Sequence, residues 1–499
     1  MNFYYHKLEQ RFEEIGRLDN ILNLLSWDIA CNMKSGSENS RTQEIITLNN
    51  IIRKLLISKE NKNWLLEAQK EIQNLDEWQK VNLKEIALKI KNKEIISEEL
   101  QNKLIEATNQ ADLIWRQAKA NNDYELFKPY LAKVIEYTKE IAQFRAKSLG
   151  GLSLYDALID IYDTGTTSKS IKKTFSVLKE KLPFLIKEIL KKQQFKKNLY
   201  QKISLPIEQQ KKINYQIMKT LGFDTNKGRL DESVHPFCGG TPHDVRLTTH
   251  YSSDNFLNSF YATMHETGHA LYEQNLPEKY KNQPVGEARG FQFHESQSLL
   301  IEKQVGKSKE FITYLTNLLS QKFNLNDDLL KTENLYLQAN QVKPDFIRIY
   351  SDEVTYCLHI ILRFEIEELL INDQLSLDEL PNVWNQKMQD YLGILPKNFT
   401  EGCLQDVHWS AGYFGYFPSY ANGMIISSMV MKKIKTIYPN IKNDFVQGEF
   451  SNLNQYLNQN FRNFGSLFSS KDMLFQLTGE TEVNPYTFLK YLEDKYLVN

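Results

Sequence analysis

Residues 260–275, FYATMHETGHALYEQN, place two histidines four positions apart and set a glutamate directly after the first of them. In an α-helix, positions i and i+4 lie on the same face, so His265 and His269 could both reach one metal ion. Glu266 would then lie about 100° around the helix from His265, at the edge of that face. There it could accept a proton from an attacking water without binding the ion itself. The stretch therefore predicts a helix that carries a catalytic metal site.

The motif HExxH alone does not establish a metal site. A chain with nine histidines contains this motif by chance with a probability of roughly one in a hundred. Its surroundings add weight, since apolar residues flank it at helical spacing, as in a buried amphipathic helix. Gly268 is a poor helix former, so its place beside His269 predicts the close approach of another segment. These features favour a metal site over two unrelated histidines.

A catalytic zinc site needs a third protein ligand and keeps one position open. After a loop rich in proline and glycine, a second helix is predicted to begin within GFQFHESQS, residues 290–298. Glu287, Glu295 and Glu302 all follow that loop closely enough to be the ligand, and their spacing does not choose between them. His294 is a candidate for orienting Glu295 or for binding substrate.

The composition is that of a globular protein, with 499 residues, 41% hydrophobic and 25% charged residues and a net charge of -1. This balance gives no reason to expect a nucleic-acid partner. No apolar run reaches the ~20 residues of a membrane span, and no signal peptide is visible. Cys31, Cys238, Cys357 and Cys403 form no CxxC pair, which predicts reduced thiols. We therefore expect a cytoplasmic protein without a membrane partner.

Helical periodicity dominates the chain. Residues 168–194 show it most clearly, with apolar side chains at steps of three and four and Lys or Glu between them. Thr166 or Ser168 is predicted to cap this helix, and Pro183 is predicted to kink it. The alternation in DVRLTT, residues 244–249, predicts a short strand. The expected fold is mainly α, with a small antiparallel β-sheet near the site.

The chain shows no long linker, so we expect one catalytic domain over residues 1–499. Histidine, glycine and aromatic residues become frequent near residue 230. This change divides the domain into a mostly helical part, residues 1–230, and a part that carries the metal site, residues 231–499.

Further blocks of sequence accompany the HExxH motif along nearly the whole chain, and together they resemble the carboxypeptidase Taq family of metallocarboxypeptidases. The blocks are WDIACNMKSGSENSR from Trp27, LYDALIDIYDTG from Leu154, HPF at His235, DVRLTT at Asp244, HETGHALYEQN with HESQS, IRIYSDEVTY at Ile347 and GCLQDVHW at Gly402. One position departs from the family pattern, because Ser351 stands where an alanine usually precedes the aspartate of IRxxAD.

The resemblance implies a helical zincin-like metallopeptidase with a long central groove, working as a homodimer. It implies that Glu295 is the third zinc ligand beside His265 and His269, with cobalt or manganese as possible substitutes. It also implies a carboxypeptidase that releases C-terminal amino acids from peptides with a free carboxylate, with Glu266 as the general base.

A free C-terminal carboxylate is best recognised by arginine, whose planar group donates two parallel hydrogen bonds. Arg246, Arg289, Arg348 and Arg363 are the candidates in the metal-bearing part. The resemblance favours Arg348, within IRIYSD. Arg246 is predicted to shape the groove or hold the strand, and the other two are predicted to be structural.

Other groups of the site follow from the same region. The resemblance places His235 in the groove wall, and Gln405 and Asp406 are predicted to contact substrate or to support the residues that do. The oxyanion that forms during hydrolysis needs a hydrogen-bond donor. His408 and the tyrosines of GYFGYFPSY are candidates, and the similar loop of thimet oligopeptidase-type enzymes favours Tyr416 together with His408.

Two other functions remain compatible with the residues. One is a zinc oligoendopeptidase or dipeptidase on the same scaffold, which would not need a free carboxylate. The other is a catalytically silent helical binding protein, although the four residues His265, Glu266, His269 and Glu295 are all present.

Overall fold

The chain folds mainly into α-helices, with one small sheet between two helical parts. The structure, a computed structural model, describes residues 2–194 and 200–498. The α-helices before the sheet are α1 (Phe3–Cys31), α2 (Glu38–Leu56), α3 (Lys59–Lys70), α4 (Glu77–Ile95), α5 (Glu98–Asn121), α6 (Tyr124–Ser148), α7 (Leu154–Tyr162), α8 (Ser168–Gln193) and α9 (Ile207–Leu221). The strands are β1 (Gly228–Glu232), β2 (Cys238–Thr241) and β3 (Asp244–Thr249).

The second helical part carries the HExxH motif on its first helix. Its α-helices are α10 (Phe256–Glu273), α11 (Phe291–Leu299), α12 (Lys309–Phe323), α13 (Thr332–Ala339), α14 (Tyr356–Ile371), α15 (Leu380–Leu392), α16 (Phe417–Ile437), α17 (Ile441–Gln447), α18 (Ser451–Asn460), α19 (Ser470–Thr478) and α20 (Pro485–Glu493). A π-helical segment (Leu300–Gly306) continues α11, and a second one (Asp494–Val498) follows α20.

Helix α8 shows how the sequence determines these elements. Its apolar residues are buried along one face, as their spacing predicts. Its cap is Thr167, whose hydroxyl accepts a hydrogen bond from the Ser170 N–H at 3.3 Å, and not the neighbouring Thr166 or Ser168. Pro183 lies inside the helix.

The three strands form a mixed sheet in the order β1-β3-β2. β3 covers the same residues as the predicted strand and pairs antiparallel with β2. β1 pairs parallel with β3, so the prediction of a wholly antiparallel sheet is wrong for this pair. The reason is the path of the chain, which reverses direction between β1 and β2 and again in the β2–β3 hairpin. Two reversals leave β1 and β3 pointing the same way.

Two clusters of buried apolar side chains hold the fold together. The larger extends from Ala107 to Leu492, and the smaller joins helices α1 to α4. Asn82 on α4 connects the smaller cluster to the metal-bearing part, because its amide donates to Oε1 of Gln283 at 2.9 Å and accepts from the Val285 N–H at 3.2 Å. Within the described ranges, no helix combines the length and apolar character that crossing a membrane requires.

Candidate active site

Helix α10 carries the HExxH motif, and its two histidines share one face as their spacing predicts. The ring centres of His265 and His269 are 5.0 Å apart. Asn255 caps the helix, accepting a hydrogen bond from the Leu257 N–H at 3.3 Å. Both imidazoles are partly buried, so they remain accessible to a metal ion from the cavity described below.

Glu295 on α11 completes a group of three candidate metal ligands. Its Oε2 lies 3.8 Å from Nε2 of His265 and 3.5 Å from Nε2 of His269. Two ligands of a tetrahedral zinc ion are about 3.4 Å apart, so a divalent ion fits between these atoms with little adjustment. Over residues 2–194 and 200–498, no other group of three or more His, Cys, Asp or Glu side chains brings its ligand atoms within 4.8 Å of one another. Two imidazoles and a carboxylate are also a donor set that suits catalytic zinc.

The carboxylates of the other two candidate glutamates do not face the metal position and pair with other groups. Glu302 places its Oε2 3.0 Å from Nδ1 of His265, on the side of the ring away from Glu295. Glu287 pairs with Lys89 of α4 at 2.5 Å. Glu302 lies in the π-helical segment after α11, an irregularity that is frequent at functional sites. Its carboxylate fixes the imidazole so that Nε2 faces the metal position.

A second chain of hydrogen bonds orients His269. Its Nδ1 lies 2.5 Å from Nδ1 of His294, and Nε2 of His294 lies 2.7 Å from Oε1 of Glu273. When each histidine donates one proton along this chain toward the carboxylate, Nε2 of His269 keeps its lone pair for a metal. His294 therefore supports His269, whereas the sequence predicts a contact with Glu295 or substrate.

Glycines on two helices allow α11 to approach the metal-bearing helix. A Cβ at Gly268 would lie 2.4 Å from the carbonyl oxygen of Gln297 and 2.5 Å from Cα of Ser298, both on α11. A Cβ at Gly423 of α16 would lie 2.8 Å from Cβ and Cγ of Glu295. Any side chain at either position would push α11 away, so both glycines determine where Glu295 lies. The close packing predicted for Gly268 is confirmed.

Replacing Gly268 by Ala is expected to lower the metal affinity at least tenfold and to destabilise the fold. Alanine favours a helix by ~1 kcal/mol over glycine, but overpacking against backbone costs about 1–3 kcal/mol, so packing should dominate. Metal titration and thermal melting measure the two effects. Gly36→Ala is the matched control, because a Cβ there meets nothing within 4 Å. An unchanged metal affinity in G268A would contradict the role given to this contact.

Burial and neighbouring charges set the protonation of the metal-free site. Burial raises the pKa of Glu266 to about 7, with His265 opposing the shift. Burial lowers the pKa of His269 to about 4, although its hydrogen bond with Glu295 opposes this. Burial also disfavours the charged form of His265, but Glu295 and Glu302 outweigh it and raise its pKa to about 9. Carboxylates outnumber protonated histidines here, a balance that attracts a divalent cation.

A cavity of about 720 Å³ opens onto these residues. The three ligands and Glu266 line one side of it. Helix α4 contributes Glu85 and Lys89, so the N-terminal helices form part of the wall. Aromatic side chains supply much of the remaining surface, namely Tyr162, Phe237, Phe291, Tyr416 and Tyr420.

The segment HWSAGYFGYFPSY brings two of the candidate oxyanion donors to this cavity. Tyr416 and Tyr420 both line it, with their ring centres 5.1 Å apart. His408 packs on Phe417 at 4.5 Å between ring centres, and its Nε2 lies 3.4 Å from the Tyr420 hydroxyl. Tyr413 is 51% exposed and is not part of the lining. The structure therefore brings Tyr416 to the cavity that the three candidate ligands also line, whereas His408 lies outside this lining and contacts Tyr420.

Electrostatics keep these groups in hydrogen-bonding forms. Burial, reinforced by the positive charge of Arg348, lowers the pKa of His408 to about 3, so its imidazole is neutral. Burial, reinforced by the charge of Glu295, raises the pKa of Tyr416 above its ordinary value, so its phenol keeps the proton it would donate. Both side chains can thus serve as neutral donors.

Arg348 is held in a buried ionic cluster. Its Nε and Nη2 donate to Oδ1 of Asp406 at 3.0 and 2.9 Å, and Nε of Arg363 donates to Oδ2 at 2.6 Å. Oε1 of Gln405 accepts from the Arg348 N–H at 2.9 Å and from Nη2 of Arg363 at 2.7 Å. Gln405 and Asp406 thus hold the two arginines. The guanidinium carbon of Arg348 lies 5.3 Å from the ring centre of Tyr420, and Tyr420, unlike Arg348, lines the cavity.

Two more predicted substrate contacts lie outside the cavity lining, as do Arg348, Gln405 and Asp406. His235 is exposed, although the next residue, Pro236, lines the cavity. Arg246 pairs with Asp244 at 2.8 Å, and its guanidinium carbon lies 4.2 Å from the ring centre of Trp27. Arg246 therefore connects β3 to α1.

The structure also identifies a supporting residue, Asp163, that the sequence did not predict. Asp163, at the end of α7, accepts hydrogen bonds from the Gln292 N–H at 2.9 Å and the Ser419 hydroxyl at 2.6 Å. It thereby caps α11 and connects it to α16. The only signal in the sequence was its place in the LYDALIDIYDTG block. Arg289, predicted to be structural, lines the cavity and pairs with Glu85 at 2.9 Å.

A helical fold in which an HExxH helix meets a glutamate of the next helix defines a metallopeptidase. Comparison with known proteins narrows this class. Residues 7–496 match the model of the carboxypeptidase Taq (M32) metallopeptidase family. The chain belongs to this family.

Similar proteins span the whole chain. Carboxypeptidase 1 of Bacillus subtilis is 33% identical over 498 residues, 98% of each chain. Thermostable carboxypeptidase 1 of Pyrococcus furiosus is 32% identical over 490 residues, 98% of this chain and 97% of the relative. Metallocarboxypeptidase 1 of Trypanosoma cruzi has a TM-score of 0.96 at 33% identity, with 100% of both chains covered. The fold class and the activity predicted from the sequence are confirmed: the protein is a metal-dependent carboxypeptidase that hydrolyses C-terminal peptide bonds.

Proposed function

We propose that this carboxypeptidase uses zinc, held by Nε2 of His265, Nε2 of His269 and the carboxylate of Glu295. The observation that carries the proposal is the convergence of these three ligand atoms beside a cavity that Glu266 also lines. Bound zinc would supply a Lewis acid that polarises the scissile carbonyl and makes water more acidic. Cobalt or manganese would substitute, since both accept nitrogen and oxygen ligands.

Glu266 acts as the general base in this proposal. It accepts a proton from the attacking water and passes it to the leaving amine. Tyr416 donates a hydrogen bond to the oxyanion, because its protonated phenol lines the cavity next to the ligands. His408 supports this donor set as a neutral imidazole in contact with Tyr420.

Arg348, which contacts the cavity-lining ring of Tyr420, binds the terminal carboxylate of the peptide once that ring moves aside. Charge supports this role, because Arg348 and Arg363 share the single carboxylate of Asp406, and the cluster keeps a net positive charge. The charge of the two guanidinium groups also holds the pKa of Asp406 well below its ordinary range despite burial, so the cluster stays ionised. A buried site of net positive charge favours an anionic ligand.

Four further residues have supporting roles in this proposal. Gln405 and Asp406 position Arg348 through the hydrogen bonds described above. His235 contacts the peptide at the edge of the cavity, next to the lining residue Pro236. Arg246 shapes the groove through β3 and its contact with α1.

Replacing Arg348 by Met is expected to lower kcat/KM about a hundredfold for an N-blocked dipeptide with a free C-terminus. Removing one partner of a buried charge pair costs about 2–5 kcal/mol, and methionine keeps an unbranched side chain without the charge. Slow turnover of the matching C-terminal amide should not change, because the amide never forms this ion pair. Steady-state kinetics on the matched pair measure the difference.

The same experiment also tests a second arginine, Arg289, as the residue that binds the carboxylate. Arg289 lines the cavity, and its Nε has no hydrogen-bond partner among the described residues. If R289M, and not R348M, loses discrimination between free and amidated ends, the carboxylate role belongs to Arg289. Arg116→Met, which removes an exposed ion pair with Asp112, is the matched control and should keep wild-type kinetics.

We propose further that the enzyme works in the cytoplasm as a homodimer of single-domain subunits. All four cysteines are unpaired, as is usual in a reducing compartment. Helices before residue 230 and after residue 231 line one cavity, which supports a single catalytic unit. The dimer rests on the family resemblance, and light scattering tests it: a mass near the 58.5 kDa of one chain would contradict it.

A further inference from the structure

A buried carboxylate lies beneath the loop that carries the proposed oxyanion donors. We name residues 408–416 the aromatic loop; it begins at His408 and ends at Tyr416. Glu367, on α14, is 0% exposed and contacts this loop at two places. Nε1 of Trp409 donates to its Oε1 at 2.8 Å, and the Gly415 N–H donates to its Oε2 at 2.8 Å.

These two contacts hold opposite ends of the aromatic loop. Trp409 directly follows His408, and Gly415 directly precedes Tyr416. A third donor, the hydroxyl of Tyr155 on α7, lies 2.8 Å from Oε2 and holds the carboxylate from the other side. The Glu367 carboxylate, its two donors in the loop and the Tyr155 hydroxyl thus form one connected network of four groups.

The backbone at Gly415 leaves the loop little freedom to move. Its φ of +84° lies in the left-handed region, which glycine tolerates best. A Cβ there would lie 2.8 Å from the Ile159 nitrogen and from the Leu158 carbonyl carbon of α7. The aromatic loop therefore packs closely against α7 at Gly415, whose N–H donates to Glu367.

Burying a carboxylate is unfavourable unless hydrogen bonds compensate for it. Burial raises the pKa of Glu367 to about 7, while the hydrogen bonds from Gly415, Tyr155 and Trp409 oppose the shift. Core packing alone would be served better by an apolar residue. The buried carboxylate of Glu367 is therefore unfavourable for packing, and the contacts it makes hold the aromatic loop in place.

We propose that Glu367 is a positioning residue for catalysis: its carboxylate fixes both ends of the aromatic loop and so sets where Tyr416 meets the substrate. The inference rests on the proposed role of Tyr416. Glu367 does not touch substrate; it acts through Tyr416.

Glutamine is a sharp test of this role, because it cannot satisfy both ends of the loop. The N–H groups of Trp409 and Gly415 can only donate, and each faces a different oxygen of Glu367. In E367Q one of these oxygens becomes an NH₂ group, so one end of the loop loses its acceptor whichever way the amide turns. A misplacement of ~1 Å at a catalytic group can cost about a hundredfold in rate.

E367Q is expected to lower kcat about 10- to 100-fold while KM changes less than about threefold, since the oxyanion donor acts in the transition state. The bound metal, measured by atomic absorption, should stay at the wild-type amount. Glu368→Gln is the matched control, because it makes the same change one residue along and removes only an ion pair with Lys172. It should keep wild-type kcat.

Trp409→Phe approaches the same contact from the loop and carries the test if E367Q does not fold. It removes the Nε1 donor while keeping an aromatic ring, and it should lower kcat with little change in KM. Wild-type kcat in W409F, or in a folded E367Q, would overturn the proposal. A loss of metal in either variant would also overturn it, because the defect would then lie at the metal ligands.

A double-mutant cycle with Tyr416→Phe separates this inference from the proposed function. If Glu367 acts through Tyr416, E367Q combined with Y416F should be no slower than Y416F alone, within about threefold. Fully multiplicative losses would overturn the inference while leaving the role of Tyr416 intact. Wild-type kcat in Y416F would instead refute the oxyanion role of Tyr416, and the inference would fall with it.

Discussion

Removing the metal with a chelator is expected to abolish amino-acid release while leaving the fold intact, and adding one divalent metal should restore activity. The activity depends on a Lewis acid that no side chain of the cavity can replace. The fold should survive because α10 and α11 are held by apolar packing and by the close contact at Gly268. In the metal-free protein, His265 is protonated between Glu295 and Glu302, which balances part of their charge.

Replacing a metal ligand should lower the metal affinity far more than replacing a residue that only hydrogen-bonds to a ligand. Glu295→Gln removes a ligand charge and should lower metal affinity and activity by more than about a thousandfold, since two neutral imidazoles alone hold zinc weakly. Glu302→Gln leaves all three ligands in place and removes only the acceptor on Nδ1 of His265, a change that typically costs 10- to 100-fold in affinity. Metal titration, monitored by circular dichroism, measures the metal affinity of both variants. If E302Q lost more affinity than E295Q, the assignment of the third ligand would be wrong.

Local patterns in the sequence predict much of this architecture. The spacing of His265 and His269 places them correctly on one helix, and alternation locates β3 to the residue. Local sequence could not predict that β1 runs parallel to β3, because this depends on how the chain crosses the sheet. The shift of the α8 cap to Thr167 has a different, local cause, since adjacent hydroxyl residues compete for one helix end.

The choice of the third ligand shows where spacing stops being informative. Glu295 and Glu302 are seven residues apart, which in a regular helix places them on one face. The chain becomes π-helical after Leu299, and Glu302 consequently reaches the far nitrogen of His265. The resemblance to a family selected Glu295, and residue spacing did not.

Supporting carboxylates were missed for a related reason. Glu367 lies among apolar residues of α14, and its partners come from residues 155, 409 and 415, far away in the chain. Asp163 likewise caps a helix that begins more than a hundred residues later. A buried acid of this kind gives no periodic signal, because its partners are brought together only by the tertiary fold.

Replacing Glu266 by Gln is expected to lower kcat about 10²- to 10⁴-fold, the usual contribution of general acid–base catalysis, while metal content and KM stay near wild-type values. Glutamine has the same shape but cannot accept the proton of the attacking water. Glu266→Asp, which keeps a carboxylate but withdraws it by one methylene, should retain more activity than E266Q. Kinetics on a free-ended dipeptide, with metal content measured in parallel, check both variants.

The thermal stability of the metal-free protein provides an independent test of the role of Glu266. Burial raises the pKa of Glu266 in the metal-free protein to about 7, above the ~4.3 of an unfolded chain. Above pH 4.3 the unfolded state therefore holds fewer protons, so this residue lowers stability progressively until the pH passes about 7. E266Q removes that penalty, and its metal-free form at pH 8 should melt no lower than the wild type. A variant that was inactive because it misfolded would melt lower and lose its metal, whereas one lacking only the base should show neither change.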